Sequence, residues 1–227
     1  MAYCVSYVTK RKFFFRFFSS YAQCLSIINT FVFKIYSMTA KLSKKNIFNL
    51  LFVGVLILFF IPSTRGMMQI YLTRIFSFSP EIIEKEERTK VSDYNWKLHG
   101  VNTESLNFED LKGKVIILNF WNSWELSSIA EMPSMHKLYQ HFKDDSNIAF
   151  VFLTEDDDPE INKYLSDKSY NYPIYRSLST YPEPFVMKPI PGTYVIDKSG
   201  NIVIYQRGVA DWDTSKVKEV ISHLSAQ

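Results

Sequence analysis

The side chains best placed to do chemistry lie where an apolar run gives way to polar residues. The run Val115–Phe120 is followed by Trp121-Asn-Ser-Trp124 and then by Glu125-Leu-Ser-Ser128. The run predicts a buried strand, and the next residues, 126–142, predict an amphipathic helix. A carboxylate or serine hydroxyl in the first turn can accept from the helix's unpaired N–H groups, so we expect Glu125, Ser127 and Ser128 to cap it.

Serine catalysis at this junction is not favoured by the sequence. A serine nucleophile needs a base within hydrogen-bond reach. No Ser-His-Asp order and no nucleophile-elbow motif surrounds Ser127 or Ser128. Glu131, one turn further on, could act as an acid with a raised pKa if it is buried. It has no neighbouring thiol to exchange a proton with, so we expect an ordinary buried or capping carboxylate.

Metal ligands and cofactor motifs are not apparent in the sequence. The four histidines are at 99, 136, 141 and 223, and the spacing of five between His136 and His141 places them on different sides of a helix. The acidic run Glu155–Asp158, with Glu160, lacks the spacing of an EF-hand and is expected to be a solvated loop and helix cap. No glycine-rich phosphate loop is visible, and we predict no cofactor and no metal.

The order of elements predicts the fold class. Strands are expected at 115–120, 148–153, 192–196 and 202–207, and helices at 126–142, 159–167 and 214–224, with Asp158 capping the second. A short hairpin is expected over 96–106. The order hairpin, βαβ, helix, hairpin, helix predicts an α/β thioredoxin-like fold, with a central mixed β-sheet and helices on both faces.

The charge distribution divides the chain near Pro80. Ten of the 26 basic residues precede Glu81 and no acidic residue does, so residues 81–227 hold 16 basic and 23 acidic residues, a net charge of −7. The overall charge of +3 therefore gives no support to a nucleic-acid partner. Both cysteines, Cys4 and Cys24, also lie in the basic part, so the folded domain is expected to contain no thiol.

A membrane anchor is predicted near the N-terminus. Lys44 and Lys45 precede the apolar run Ile47–Ile61, which is ended by Pro62. This order is typical of a signal-anchor, with the C-terminal domain exported to the periplasm or outside from the cell (inner) membrane. The run gives about 22 Å of helix against a hydrocarbon core of about 30 Å, so a cleaved signal remains an alternative.

These observations predict four segments. Residues 1–46 form a basic arm, of which 1–37 lie outside the protein if translation begins at Met38. Residues 47–78 form the anchor and an interfacial segment, residues 79–93 a linker, and residues 94–227 the thioredoxin-like domain.

Several separated motifs resemble one known family. Leu111-Lys-Gly-Lys-Val115 leads into Asn119-Phe-Trp121, and Trp124, Glu131-Met-Pro133 and Ile190-Pro-Gly-Thr-Tyr-Val-Ile-Asp-Lys-Ser-Gly200 follow in order. Over residues 96–224 the chain resembles the TlpA/ResA-type thioredoxin-like proteins, membrane-tethered thiol–disulfide oxidoreductases related to the AhpC/TSA peroxide reductases. The resemblance implies that Pro191 is a cis-proline, that Pro133 kinks the first helix, and that Glu131 lies beneath a cysteine pair.

The resemblance also implies which chemistry has been lost. Glu125 and Ser128 occupy the two positions of the family's Cys-x-x-Cys, and thiol–disulfide exchange needs a thiolate. A binding groove is implied beside these positions, and its residues are Trp121, Trp124, Leu126, Ser127, Ile190, Pro191 and Gly192.

The favoured function is therefore binding of an extended peptide or an envelope protein without redox chemistry. One alternative is a thiol–disulfide or peroxide reductase that works with a partner's cysteines. Another is a structural subunit of an envelope assembly.

Overall fold

The structure is a computed structural model that describes residues 43–185 and 187–227, without the side chains of residues 58–60, 62 and 63. Both cysteines, Met38 and most of the predicted basic arm lie outside these residues. The chain divides into two compact units, Met1–Ile61 and Pro62–Gln227. The boundary lies inside the predicted anchor and interfacial segment 47–78, which is not one continuous helix.

The described part of the first unit is helix α1 (Lys44–Phe60). Its large apolar side chains, among them Phe48, Leu50 and Leu51, are exposed. Across the described ranges, no helix combines the length and the apolar character needed to cross a membrane. The anchor therefore stays a prediction from the sequence.

The second unit is built on one seven-stranded mixed sheet. Its strands are β1 (Lys97–Gly100), β2 (Leu106–Asn107), β3 (Val115–Phe120), β4 (Ile148–Leu153), β5 (Ile174–Ser177), β6 (Gly192–Ile196) and β7 (Ile202–Arg207). The spatial order is β2-β1-β5-β4-β3-β6-β7. Strands β3, β4 and β5 are parallel, while β6 runs antiparallel to β3 and β1 antiparallel to β5. This is the predicted mixed sheet, with β3 and β4 at its centre.

The unit also holds four α-helices: α2 (Pro62–Ile75), α3 (Leu126–Phe142), α4 (Asp158–Lys168) and α5 (Ser215–Ala226). Helices α3, α4 and α5 bury Met135, Ile161 and Ile221 in one cluster on a single face of the sheet. The prediction of helices on both faces is wrong. Because β3, β4 and β5 lie side by side in chain order, right-handed crossovers place α3 and α4 on the same face.

The opposite face is covered by aromatic side chains, three from connecting segments and one, Tyr194, from β6. Trp96, Phe108, Phe185 and Tyr194 pack there with ring centroids 5.3–5.7 Å apart. Phe108 belongs to a short 3-10 helix, Phe108–Leu111, which begins with a capping box at Asn107. This face therefore needs no α-helix to exclude water from β3 and β4.

The segment predicted as a linker is part of the folded unit. The N–H of Ile83 donates to Val203, that of Val91 to Gly200 and that of Ile202 to Thr89, at 2.8–2.9 Å. Val91 is 3% exposed. The domain therefore begins before Tyr94, because backbone pairing along the hairpin β6–β7 holds a charged segment that lacks a strand pattern.

Three smaller differences concern single elements. Strand β5 was not expected, because its four residues follow Pro173 and show no clear alternation. Helix α4 starts one residue earlier than predicted, with Asp157 at the N-cap position, and no side chain accepts a capping hydrogen bond there. Helix α5 begins at Ser215, one residue after the predicted start, because Thr214 is the N-cap and its hydroxyl accepts from the Val217 N–H.

Candidate functional site

The first turn of α3 holds Glu125 and Ser128, the two residues at the predicted cysteine positions. Glu125 occupies the N-cap position with extended backbone, but its side chain accepts no N–H from the helix. Its carboxylate instead accepts from the Ser127 hydroxyl at 2.9 Å. Ser128 is fully buried, and its Oγ accepts from the Asn122 N–H at 3.3 Å. Neither residue caps the helix as predicted, because both side chains are engaged by local loop groups.

The loop between β3 and α3 is held by residues that the sequence analysis did not single out. The N–H of Ser123 donates to Asp156 Oδ2 at 2.5 Å, and the Thr154 hydroxyl donates to Asn122 Oδ1 at 3.3 Å. Asp156 and Thr154 are buried. The prediction of a solvated acidic loop is therefore wrong for Asp156, which tethers the junction.

Arg176 completes this tether from the neighbouring strand β5. Its guanidinium donates to the Asp156 carbonyl and pairs with the Asp158 carboxylate at 2.6 Å. The only sequence signal for the tether was the position of residues 154–158 directly after β4. Residues at the carboxyl ends of adjacent parallel strands meet at one edge of a sheet.

The second wall of the site is the loop before β6. The Ile190–Pro191 peptide bond is cis. The Pro191 carbonyl accepts from the Gly208 N–H at 2.8 Å, while the Ile190 carbonyl accepts from the Ser127 hydroxyl at 3.3 Å. Within the described part of the chain, the Ile190 N–H has no acceptor. One backbone donor beside α3 is thus available to an incoming chain.

At Gly192 the backbone of this loop comes close to the Pro189 carbonyl, which leaves little room for a side chain. A Cβ at this position would lie 3.1 Å from the Pro189 carbonyl oxygen. That distance is too short for a comfortable contact, so any larger residue would push the loop away from β6. Gly192 therefore shapes the site without offering a surface to a ligand.

The predicted groove residues separate into a surface set and a supporting set. Trp124 is 63% exposed, and Leu126, Ser127 and Ile190 are half-buried. These four residues are called the groove surface below. Trp121, Pro191 and Gly192 are buried. Trp121 was expected to offer apolar contact, but its ring packs on Tyr164 with centroids 5.2 Å apart. It therefore supports the junction from within the core.

Glu131 lies one turn below the junction and is 1% exposed. Its Oε1 accepts from the Trp212 indole N–H at 2.8 Å and from the Ala210 N–H at 3.2 Å. Its Oε2 accepts from the Asn119 side-chain amide at 3.2 Å, and that amide also donates to the Thr193 hydroxyl at 2.7 Å. The strand register places Asn119 and Thr193 opposite each other on β3 and β6.

Burial and hydrogen bonding shift the pKa of Glu131 in opposite directions. Loss of water raises the pKa of this carboxyl from 4.5 to about 7, although the bonds from Trp212, Ala210 and Asn119 each lower it. Glu131 can therefore gain or lose a proton near neutral pH. Asn119 Oδ1 is buried without a donor among the described residues, so rotation of its amide can turn an acceptor towards protonated Glu131.

The remaining candidate ligands are spread over the domain. Throughout the described ranges, no three His, Cys, Asp or Glu side chains lie close enough to hold a metal ion. His136 stacks on Tyr170 with centroids 4.4 Å apart, and burial lowers the pKa of its imidazole. His141 is exposed near the end of α3. The site is thus an arrangement of one buried acid, backbone groups and apolar side chains.

Comparisons with known proteins identify the family of this domain. The profile of the AhpC/TSA family matches residues 89–205. Among curated proteins, the thiol-disulfide oxidoreductase ResA of Bacillus thuringiensis is 25% identical over 114 residues, 48% of this chain and 64% of the relative. ResA of Bacillus subtilis is 26% identical over 121 residues, 52% of this chain and 68% of the relative. The chain thus spans about two thirds of the curated relatives it matches.

A solved structure supports the fold. A candidate protein disulfide isomerase from Bacteroides thetaiotaomicron superposes with a TM-score of 0.52 at 18% identity, covering 66% of this chain and 96% of that one. At this identity the likeness concerns the fold alone. It agrees with the mixed sheet and its helices, and the fold is thioredoxin-like.

Proposed function

The chain belongs to the AhpC/TSA family, within its TlpA/ResA-type thioredoxin-like branch, and from this premise we propose that it binds an extended peptide without performing redox chemistry. The observation that carries the proposal is the pairing of a family scaffold with Glu125 and Ser128 at the expected cysteine positions. Disulfide exchange proceeds by attack of a thiolate on a sulfur. A carboxylate and a buried hydroxyl cannot replace that step.

The groove surface supports binding of a chain in extended conformation. The Ile190 N–H is without an acceptor in the described residues and lies in the loop that Ser127 ties to α3. An added strand gains affinity from main-chain hydrogen bonds and specificity from side-chain pockets. Trp124 offers an exposed ring just before α3, so the expected ligand is a peptide with a large apolar side chain.

Defined peptides test this proposal directly. Cysteine-free, unstructured decapeptides with one central aromatic residue should change the tryptophan fluorescence of the full chain on titration. Replacement of the peptide's central amide bond by an ester should weaken binding, because the ester carbonyl is a weaker acceptor for the Ile190 N–H. Trp124→Ala should weaken binding at least about tenfold, a loss typical of an exposed aromatic anchor.

Leu178→Ala is the matched control, because Leu178 is 64% exposed and lies outside the groove surface. Equal weakening by both variants, or binding that is indifferent to the ester replacement, would contradict the proposal.

A thiol–disulfide or peroxide reductase that borrows a partner's cysteines is the second candidate. The specific observation in its favour is Glu131, whose pKa of about 7 suits proton transfer beneath the junction. Insulin reduction and peroxide consumption by the full chain in excess dithiothreitol should stay at the rate without protein. Turnover that Glu131→Gln lowers would instead favour the reductase.

We propose that the chain lies at the cell (inner) membrane, with the domain facing the periplasm or the outside. The proposal rests only on the order of the basic residues and the apolar run near the N-terminus. Membrane extraction with alkaline carbonate tests it: retention in the pellet supports an anchored chain, and release contradicts it. If binding tests fail but the chain co-purifies stably with one envelope assembly, a structural subunit becomes the favoured function.

A further inference from the structure

Helix α2 is attached to the helix that carries the groove surface. The Arg74 guanidinium donates from Nε to the Ala130 carbonyl at 3.1 Å and from an Nη to the Ile129 carbonyl at 3.0 Å. Both acceptors are main-chain groups of α3. Arg74 is half-buried, so these bonds are partly shielded from water. Two charge-assisted bonds from one planar group fix both distance and orientation.

Pro133 explains why α3 accepts a cation at this place. Within an α-helix the carbonyl of a residue accepts from the N–H four residues later, and proline has none. Pro133 lies inside α3, so the Ile129 carbonyl lacks its usual donor, the N–H four residues later. Arg74 supplies a donor from outside. The pair of Pro133 and Arg74 therefore builds a specific contact between the two helices, which is called the Arg74 latch below.

The other end of the contact reaches the groove surface. Gly66 of α2 faces Leu126, and a Cβ built on Gly66 would lie 3.7 Å from Leu126 Cδ2. That is ordinary van der Waals distance. Helix α2 therefore lies against one of the four residues proposed to meet a ligand.

The side chains of α2 bury little surface from Thr64 to Ile75. From Thr64 to Ile75 no residue is fully buried, and Met67, Tyr71 and Ile75 are exposed. A segment with few buried apolar contacts opens at low free-energy cost. The Arg74 latch is consequently a large part of what holds α2 in place.

We propose that α2 is an internal cover of the groove surface, held shut by the Arg74 latch, and that its release exposes Leu126 to the ligand. The consequence for binding rests on the proposed function. The cover itself does not, because access to Leu126 is measurable without any ligand.

Thiol labelling measures that access in the full chain. Cys4→Ser and Cys24→Ser with Leu126→Cys leave one thiol, at the covered position, for a maleimide probe. Adding Arg74→Gln should speed labelling roughly tenfold, because it removes hydrogen bonds to main-chain carbonyls. Adding Gly66→Ala should slow labelling by roughly fivefold, since alanine favours the helix and has room beside position 126.

Arg65→Gln is the matched control and should leave the labelling rate unchanged, because Arg65 is exposed on the same helix. Amide hydrogen exchange on the chain with its natural Leu126 separates opening from unfolding. Arg74→Gln should speed exchange in residues 62–75 and leave the amides of β3 and β4 as slow as before.

Equal labelling rates in Arg74→Gln and Arg65→Gln would overturn the cover. Faster exchange throughout β3 and β4 would also overturn it, since the guanidinium would then stabilise the whole domain. Labelling that follows the predicted order supports the cover, whatever the peptides do. Failure of peptide binding in the open Arg74→Gln variant would count against the proposed function alone.

Discussion

The first two turns of α3 differ in the hydrogen-bond partners of their side chains. In the first turn, the positions expected to hold thiols carry Glu125 and Ser128, bonded to the Ser127 hydroxyl and the Asn122 N–H. In the second, Glu131 keeps a full set of buried partners drawn from β3, from Ala210 and from Trp212. The first turn lies at the groove surface, whereas the Glu131 side chain in the second turn contacts only buried groups.

Under the proposed function the redox chemistry is lost while the scaffold is kept, and the two turns differ as that proposal requires. Replacing a residue near solvent usually changes stability little, whereas removing one partner from a buried polar group costs about 1–3 kcal/mol. Glu131, Asn119 and Trp212 depend on one another, so loss of any one penalises the rest. Substitutions around the second turn should therefore lower the free energy of unfolding more than substitutions in the first turn.

The two tryptophans near the turns should give the largest contrast. Trp212→Ala should lower the free energy of unfolding by about 3–5 kcal/mol, because a buried aromatic ring is lost together with a donor to Glu131. Trp124→Ala should change it by less than about 0.5 kcal/mol, because the ring is exposed. Urea titration of both variants measures the two free energies of unfolding. Similar losses in the two variants would contradict the difference between the two turns.

The pH dependence of the free energy of unfolding should reflect the protonation of Glu131. Its pKa is about 7 in the folded chain against 4.5 as a free side chain, so between these values the folded state binds more protons. The free energy of unfolding should therefore fall as pH rises from about 4.5 to about 7, by about 3 kcal/mol at 1.36 kcal/mol per pKa unit. Urea titrations at pH 5 and pH 8 measure this fall.

Glu131→Gln should remove that dependence and be the more stable chain at pH 8. Its amide can donate to Asn119 Oδ1 after rotation of the Asn119 amide, because that oxygen lacks a donor in the described residues. Glu125→Gln should keep the slope of the parent chain. A steep slope in Glu131→Gln would assign the titration to another group.

The tether of the first turn should have an intermediate effect. Asp156→Ala leaves the Ser123 N–H without its acceptor and should cost about 1–3 kcal/mol. Amide exchange should speed up at residues 121–125 more than at β4. Asp156→Asn retains an acceptor oxygen and serves as the control, with a smaller loss. Uniformly faster exchange over the domain would contradict a local tether.

The smallest effect is expected at the bridge between α3 and the loop before β6. Ser127→Ala removes a hydroxyl that donates to Glu125 and to the Ile190 carbonyl, and should cost about 0.5–1.5 kcal/mol. Peptide affinity should fall more than stability, because the Ile190 N–H loses its fixed orientation. Ser134→Ala removes a half-buried hydroxyl elsewhere on α3 and controls for helix propensity.

Much of the fold could be predicted from the sequence because local patterns decide it. The continuous apolar runs 115–120 and 148–153 form the two central strands, and the turn at Asp197–Gly200 joins β6 to β7. Pro191 is cis, as the family resemblance implied. These features depend on residues that are neighbours in the chain.

Features that depend on distant pairing escaped prediction. The segment 81–93 joins the domain through backbone bonds to the hairpin β6–β7, and Asp156 is buried by Ser123 and Arg176. No periodicity marks either contact. Helices α3 and α4 share one face because of the order of β3, β4 and β5, and strand order is set by the whole sheet.

Restoring the two thiols tests most directly whether the domain keeps a working thioredoxin-like scaffold and lacks only the thiols. In a chain with Cys4→Ser and Cys24→Ser, adding Glu125→Cys and Ser128→Cys should create a dithiol at the start of α3, where the helix dipole lowers the pKa of a thiol. We expect the restored chain to reduce insulin and the chain without cysteines not to reduce it. A restored chain that folds, oxidises and still fails to turn over would show that the scaffold, and not only its chemistry, has been lost.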